Sequence, residues 1–294
     1  MSMPSDSLNL AFERIDKSGM TPWVGGGDTR VIALQNLDAI ASAVSLKPSW
    51  RVLDFGCGVG RLTAPLAELL QDGSVVGIDL VPRMIEFCRK EIQPLFPNTE
   101  FVLSKDVNPH YDQYLSDTPI EAVDFDHWSS MNADQFDLIC AFSVLTHLDL
   151  PMATSVFELL SRLLRPGGLL FTTAFLDLDD NPGDRKLRAG EKFRDCLPDR
   201  LAWVVYEQAS LLRLAHDMGL SPRKIIFGHW RGNGIPTMQG AHFQDAIVFC
   251  RPVRLPADFD AERYVALHPD LLAAGADGAH HYLTHGYFEG RSYR

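Results

Sequence analysis

Residues 51–61 read RVLDFGCGVGR, and this stretch decides the fold. The apolar run from Val52 to Phe55 is typical of a buried strand. Glycines then follow at alternate positions, and leucines recur at helical spacing from Leu62 onward. A strand, a glycine turn and a helix in this order open the nucleotide-binding unit of doubly wound α/β proteins. The glycines are needed because the turn uses backbone angles closed to other residues and a ligand lies directly against the main chain.

The spacing of the glycines separates two kinds of cofactor. A dinucleotide fold requires G-x-G-x-x-G, whereas this chain has G-x-G-x-G, with Arg61 where the last dinucleotide glycine would lie. Asp54 ends the strand before the turn, and a carboxylate there repels a pyrophosphate and suits a cationic amino-acid group. The pattern therefore disfavours a nicotinamide oxidoreductase.

The segment from Val52 to Gly60 resembles the first motif of the class I S-adenosylmethionine-dependent methyltransferases. That resemblance implies that the loop holds the methionine part of the cofactor. The residues it assigns to this role are Asp54, Gly56, Gly58 and Gly60.

A second strand is expected from Ser74 to Ile78, ending at Asp79. In a parallel sheet the residue at the tip of the second strand faces the ribose, and a carboxylate there accepts both hydroxyls. The segment VVGIDLVPRMIEFCRK again resembles the methyltransferase family, which implies this role for Asp79. Leu80 and Met84 are then expected against the adenine. The alternative is a surface aspartate that caps the next helix, with Pro82 at its first position.

The third strand, Phe101–Leu103, is followed by Asp106 and Val107. The same resemblance implies that the Asp106 side chain reads the adenine amino group beside the backbone amide of Val107. A turn aspartate in an Asn-Pro loop is the alternative.

Two further segments, FDLICAFSVLTHL and LLSRLLRPGGLLFTTAF, fit the same family in order. We expect a strand over 136–142, a helix over 152–164 stopped by Arg-Pro-Gly-Gly, and a strand over 169–175. Later strands at 222–227 and 245–250 fit the closing pair of this fold. The sequence thus predicts a Rossmann-like, doubly wound and mostly parallel α/β sheet with an antiparallel last strand.

Three regions are expected along the chain. Residues 1–28 form an N-terminal segment that either folds over the cofactor cleft or is a poorly ordered terminus. Residues 29–252 form the methyltransferase domain. Residues 253–294 form a small helical C-terminal module that resembles a short bacterial module often appended to glycosyltransferases and methyltransferases. His281 and His285 lie one helical turn apart, but no third ligand is evident, so we expect no metal site.

His147 follows the fourth strand at the edge where ligands of doubly wound sheets bind, so it is the first candidate for a general base. A histidine that caps the next helix or packs under the loop is the alternative. The second-tier candidates on the later loop are His229, His242 and Asp245. Phe142 or Trp230 is a candidate to offer a π face to the sulfonium, although both also suit the core.

Composition narrows the class of partner. The net charge is -11. A general nucleic-acid binder usually carries a basic face, and the sequence shows none. The five cysteines are scattered without a C-x-x-C pair. No apolar run approaches the length of a membrane span, and the N-terminus does not have the pattern of a signal peptide. A cytoplasmic protein is expected.

The expected function is O-methylation of a sugar or small hydroxylated acceptor with S-adenosylmethionine. The loop 228–234 and the following Gln244-Asp245 resemble a subset found among cell-surface polysaccharide biosynthesis proteins. The alternative is a non-catalytic protein of the same fold, recruited to a protein partner through its C-terminal module. The complete glycine loop, with Asp54 and Asp79, favours the enzyme.

Overall fold

The structure, a computed structural model, describes residues 5–104, 123–178, 204–230, 243–287 and 289–294. The chain divides into two compact units, Met1–Arg251 and Pro252–Arg294. Within the described ranges, no helix combines the length and the apolar character that crossing a membrane requires.

The larger unit is built on one sheet. In its described part the strand order is β3-β2-β1-β4-β5-β8-β7, with the short β6 paired to β5. The strands are β1 Arg51–Phe55, β2 Ser74–Asp79, β3 Thr99–Leu103, β4 Phe136–Ala141, β5 Leu164–Asp177, β6 Val205–Glu207, β7 Ser221–Ile226 and β8 Asp245–Cys250.

Helices flank the strands along the chain. In the larger unit they are α1 Asp6–Lys17, α2 Thr29–Ala43, α3 Thr63–Leu69, α4 Pro82–Phe87, α5 Phe125–Met131, α6 Leu150–Leu163 and α7 Gln208–Asp217. Short 3₁₀ turns lie at Thr21–Val24, Gln93–Leu95 and Leu145–His147, and a π turn follows α4 at Cys88–Ile92.

The sheet confirms the predicted fold class. The pairs β1–β2, β2–β3, β1–β4 and β4–β5 are parallel, whereas β8 is antiparallel to both β5 and β7. Because β8 runs against its neighbours, its first residues lie at the same edge as the last residues of β1, β4, β5 and β7. That carboxyl edge is where ligands of doubly wound sheets bind.

Alternation along the strands creates a hydrophobic core on each face of the sheet. Val52 and Val75 belong to one cluster, which also contains residues of α1, α2, α3 and α4. Their neighbours Leu53 and Val76 belong to the other, with residues of α6 and α7. Each fully buried aliphatic side chain contributes roughly 1.5–3 kcal/mol, so the two cores fix the sheet as a rigid base for the edge loops.

One expectation about local structure was wrong. Strand β5 begins at Leu164, directly after α6, and the predicted Arg-Pro-Gly-Gly stop at 165–168 is an irregularity inside the strand. Phe136 pairs with Leu164 and Leu138 with Leu169, so the extra residues bulge opposite Asp137. Asp137 holds the bulge, because Arg165 Nε donates to its Oδ1 at 2.7 Å.

The smaller unit has its own core, in which Tyr264 and Tyr282 are buried. Its helices are α8 Ala261–Leu267, α9 Pro269–Ala274 and α10 Gly278–His281, continued by a π turn at Tyr282–Gly286. The predicted short helices are therefore present. A 3.0 Å hydrogen bond joins Tyr264 Oη to Nδ1 of His281, whose ring stacks on that of His285 with centroids 5.4 Å apart.

Candidate active site

The glycine loop after β1 forms a cradle made of backbone. Gly56 and Gly58 have φ of +77° and +53°, and Gly60 has +76°. A Cβ on Gly56 would lie 2.7 Å from Val144 Cγ2, and one on Gly58 would lie 2.7 Å from Val24 Cγ1. At Gly56 and Gly58 a side chain is therefore excluded both by the backbone conformation and by the neighbouring valine side chains.

Asp79 ends β2 beside this cradle. Its Oδ2 accepts the N–H of Gly58 at 2.8 Å, and its Oδ1 accepts the N–H of Val81 at 2.9 Å. Burial raises the pKa of this carboxyl, and the backbone donors oppose the rise. A carboxylate oxygen has more than one acceptor position, so the same group remains chemically suited to a ribose diol.

Leu80 and Met84, the residues expected against the adenine, follow the end of β2. Leu80 is half-buried and packs on the first core cluster. Met84 is 1% exposed, and its Sδ would lie 3.8 Å from a Cβ on Gly58. Met84 thus supports the loop from within the core.

Asp54 is 3% exposed, which places it inside the protein. Its Oδ2 accepts the hydroxyl of Thr63, the first residue of α3, at 2.6 Å. Burial raises the pKa of Asp54 to about 7; nearby Asp79 adds to the rise, and Thr63 and Arg61 oppose it. The carboxyl therefore ties β1 to α3 beneath the loop.

A strained corner follows β4. Phe142 is half-buried and stacks on Phe171 with centroids 5.1 Å apart. Ser143 has φ of +57°, a conformation that few residues other than glycine adopt. Its N–H donates to Thr173 Oγ1 at 2.8 Å, and its hydroxyl is hydrogen bonded to the amide of Gln244. Such outliers persist only where surrounding structure enforces them, and they cluster at functional sites.

The corner directs the chain towards the cradle. The side chain of Val144 fills the space that a Cβ on Gly56 would need. The 3₁₀ turn Leu145–His147 follows directly after Val144. His147 is half-buried. Since β4 is adjacent to β1, the structure brings the His147 turn and the glycine loop to neighbouring positions on the carboxyl edge.

His229 lies further along the same edge. It follows β7, which lies four strand positions from β1 in the described sheet. Its ring is exposed and meets Phe243 edge-on at 5.4 Å. The adjacent Trp230 leans back over β5, where its ring meets that of Phe175 at 5.0 Å.

Asp106 and Val107, like His242, lie outside the described residues. The structure does show where their strand ends, because the N–H of Ser104 donates to the carbonyl of Asp79 at 2.9 Å. The chain thus leaves β3 beside Asp79, at the carboxyl edge.

Sequence reasoning missed two parts of this site. Arg61 donates to the carbonyls of Val24 at 2.9 Å and Gly26 at 3.1 Å, which ties the N-terminal segment to the loop. The run of three glycines at 25–27 was the available signal for a turn there. The Ser143 corner had no comparable signal, because residues 30 and 101 positions away hold it.

A doubly wound sheet with a backbone cradle after β1 and a carboxylate at the tip of β2 defines an α/β protein that binds an adenosine-containing cofactor. Residues 53–170 match the family described as "Methyltransferase domain". The chain is an S-adenosylmethionine-dependent methyltransferase, and its fold is similar to that of class I. The cradle and the carboxylate fit S-adenosylmethionine, the cofactor of this class.

Known proteins show how far the similarity extends. "Probable thiol methyltransferase 2" of Arabidopsis thaliana is 29% identical over 231 residues, which are 77% of this chain and 87% of that protein. A ubiquinone biosynthesis O-methyltransferase of Xanthomonas campestris is 31% identical over 57% of this chain, which spans 62% of that relative's length. The solved structure of mitomycin 7-O-methyltransferase shares the fold, with a TM-score of 0.53 and 16% identity over 84% of this chain and 61% of that one.

Proposed function

We propose that the protein methylates a hydroxyl oxygen of a sugar or another small molecule. The observation that carries the proposal is the proximity of the His147 turn to the glycine loop. Val144, next to that turn, packs against Gly56 of the loop. The name of the Xanthomonas relative, a ubiquinone biosynthesis O-methyltransferase, supports oxygen as the acceptor atom.

We assign the cofactor to the cradle. Gly56, Gly58 and Gly60 hold its methionine part, and Asp79 accepts the ribose hydroxyls beside Leu80 and Met84. Asp54 supports the cradle through Thr63. The adenine roles of Asp106 and Val107 rest on the sequence resemblance alone, and the π contact of Phe142 rests on the attraction of an aromatic face for a cation.

The chemistry needs one proton acceptor. S-adenosylmethionine supplies a methyl group on a positively charged sulfur. When bound, the cofactor would supply this methyl group to the acceptor oxygen and would leave as S-adenosylhomocysteine. His147 accepts the hydroxyl proton, a role worth roughly 10²–10⁴ in rate. The residues of the edge loops hold the oxygen against the methyl carbon, which supplies much of the remaining acceleration.

A thiol acceptor is the second candidate. It is favoured by the alignment with the Arabidopsis protein, which covers most of both chains. A thiol, with a pKa of about 8.5, is half ionised at that pH and is far more acidic than an alcohol, so its methylation requires a general base far less than that of an alcohol.

The sugar acceptor and a protein partner of the C-terminal unit are finer proposals. The first is supported by the resemblance of the loop 228–234 and Gln244-Asp245 to proteins of cell-surface polysaccharide biosynthesis. The second is supported by the resemblance of the tail to an appended bacterial module.

The test is to incubate the protein with S-adenosylmethionine and one of three probes, 3,4-dihydroxybenzoate, methyl glucoside or bisulfide. Products are identified by mass spectrometry. We expect O-methylation of a hydroxylated probe, a loss of about 10²-fold or more in His147→Ala, and little change in His229→Ala. Methylation of bisulfide alone, with His147→Ala fully active, would establish the thiol candidate instead.

A further inference from the structure

The N-terminal segment lies directly on the cofactor cradle. Residues 21–27, here named the strap, consist of the turn Thr21–Val24 and three glycines. Val24 packs on the cradle so closely that a Cβ on Gly58 would lie 2.7 Å from its Cγ1. Trp23 and Val24 are both partly buried against the first core cluster.

Two arginines anchor the strap, one on each side of the cradle. Arg61, just after the loop that follows β1, donates to the carbonyls of Val24 and Gly26. Arg83, on the helix that follows β2, lies over the ring of Trp23 with its guanidinium carbon 5.2 Å from the centroid. The strap therefore bridges the carboxyl ends of β1 and β2, between which we assign the cofactor.

The strap also has the features of a movable element. Gly25, Gly26 and Gly27 all have positive φ, between +65° and +86°. A Cβ on Gly25 or Gly26 would meet no atom within 4 Å, so these two glycines serve backbone conformation and are not required by packing. Glycines in such conformations absorb changes in backbone angles at low cost, as hinges require.

We propose that residues 21–27 form a cover over the bound cofactor and that Arg61 is the positioning residue that holds this cover closed. The proposal rests on the assignment of the cradle to the cofactor made above. Arg61 occupies the position where a dinucleotide fold has its last glycine, and its guanidinium donates to two strap carbonyls. The cofactor must then enter and leave by lifting the strap, so the strap sets the rate of cofactor release.

The test uses the full chain and S-adenosylhomocysteine, so it needs no acceptor. Stopped-flow displacement gives the dissociation rate, and hydrogen exchange reports protection of amides 21–27. We expect Arg61→Ala to raise the dissociation rate at least tenfold and to remove the protection that the ligand gives the strap. Arg61→Lys should restore part of both, since an ammonium group can donate to the same carbonyls.

Arg30→Ala is the matched control, because Arg30 also combines a hydrogen bond, to Asn9, with a cation–π contact, to Phe12, away from the cradle. It should leave both readouts unchanged. Asp79→Ala reports on the cofactor site itself. If the unaltered protein fails to bind, the cofactor assignment is wrong. If it binds and Arg61→Ala releases ligand at the same rate with the same protection, only the cover is wrong. Tighter binding by Arg61→Ala would make the strap a competitor of the cofactor and overturn the proposal.

Discussion

Gly58 combines a left-handed backbone, φ +53°, with a neighbour that leaves no room for a side chain. An alanine there costs about 1–2 kcal/mol for the conformation and drives its methyl against Val24 and towards the surface of the cradle. We expect Gly58→Ala to weaken the binding of S-adenosylhomocysteine at least about tenfold, measured by calorimetric titration, while the protein remains folded.

The control separates conformation from contact. Gly19 has φ +71°, and a Cβ there would meet nothing within 4 Å. Gly19→Ala should lose similar stability and keep its affinity. Equal affinity in the two variants would mean that the cradle does not approach the cofactor.

Asp54 predicts a dependence of stability on pH. Its pKa is raised by burial from 3.8 to about 7, so the folded state binds the proton more tightly than the unfolded state. The stabilisation is fully present below pH 4 and is lost as the pH rises through about 7. The loss amounts to about 4 kcal/mol in total, of which about 2–3 kcal/mol falls between pH 5 and pH 8.

Asparagine cannot ionise, and its side-chain oxygen can still accept the Thr63 hydroxyl. We therefore expect the difference in unfolding free energy between Asp54→Asn and the unaltered protein to change by about 2–3 kcal/mol in favour of the variant as the pH rises from 5 to 8. Urea denaturation of the cofactor-free proteins measures this difference. If the unfolding free energies of the two proteins instead change with pH in parallel over this range, Asp54 ionises normally in the folded state.

At the scale of elements, the start of β8 gathers the loops of the carboxyl edge. Asp245 is fully buried. Its Oδ2 accepts hydrogen bonds from the N–H of Leu176 at 2.9 Å and from the indole N–H of Trp230 at 2.8 Å. Its Oδ1 accepts a hydrogen bond from the N–H of Gly228 at 2.9 Å. Gln244 accepts the Thr173 hydroxyl at 2.5 Å and is hydrogen bonded to Ser143. One dipeptide thus joins the end of β5 to the segments after β4 and β7, because β8 begins where those strands end.

Removing this carboxylate leaves three donors without their acceptor, at about 1–3 kcal/mol for each buried group. We expect Asp245→Ala to lose at least about 3 kcal/mol of unfolding free energy in urea denaturation. Asp124→Ala removes an exposed helix cap, the acceptor of the His127 N–H, and should lose only about 1 kcal/mol. If Asp245→Ala also lost only about 1 kcal/mol, other groups would hold these loops.

The elements themselves were largely predictable, because their signals are local. The strand ending at Asp79 and the glycine turn after β1 follow from a few consecutive residues. Helix α1 was missed although its buried Leu8, Phe12 and Ile15 lie at helical spacing after the cap Ser5. By contrast, the Ser143 corner and the anchoring of the strap by Arg61 depend on partners distant in sequence. Their contacts arise only once the sheet has brought the strand ends together.

At the scale of the whole molecule, the chain consists of two compact units, each with its own core. The smaller unit depends on Gly286 in a different way from the cradle glycines: its backbone is helical, but a Cβ would lie 1.9 Å from Tyr264 Oη. The buried Tyr264 would have to leave the core and lose its bond to His281. Alanine would otherwise favour a helix, so any destabilisation measures this clash.

We therefore expect Gly286→Ala to unfold the smaller unit and to leave cofactor binding by the larger unit unchanged, since all proposed cofactor residues lie before Arg251. Calorimetric melting checks the first part, as loss or lowering of one transition, and titration with S-adenosylhomocysteine checks the second. Gly275→Ala is the control, because that glycine caps α9 with φ +60° in open space and alanine should cost only about 1–2 kcal/mol there. A loss of cofactor affinity in Gly286→Ala, but not in Gly275→Ala, would mean that the folded smaller unit acts on the cofactor site. It would then have to be regarded as part of the enzyme, and not as an appended module.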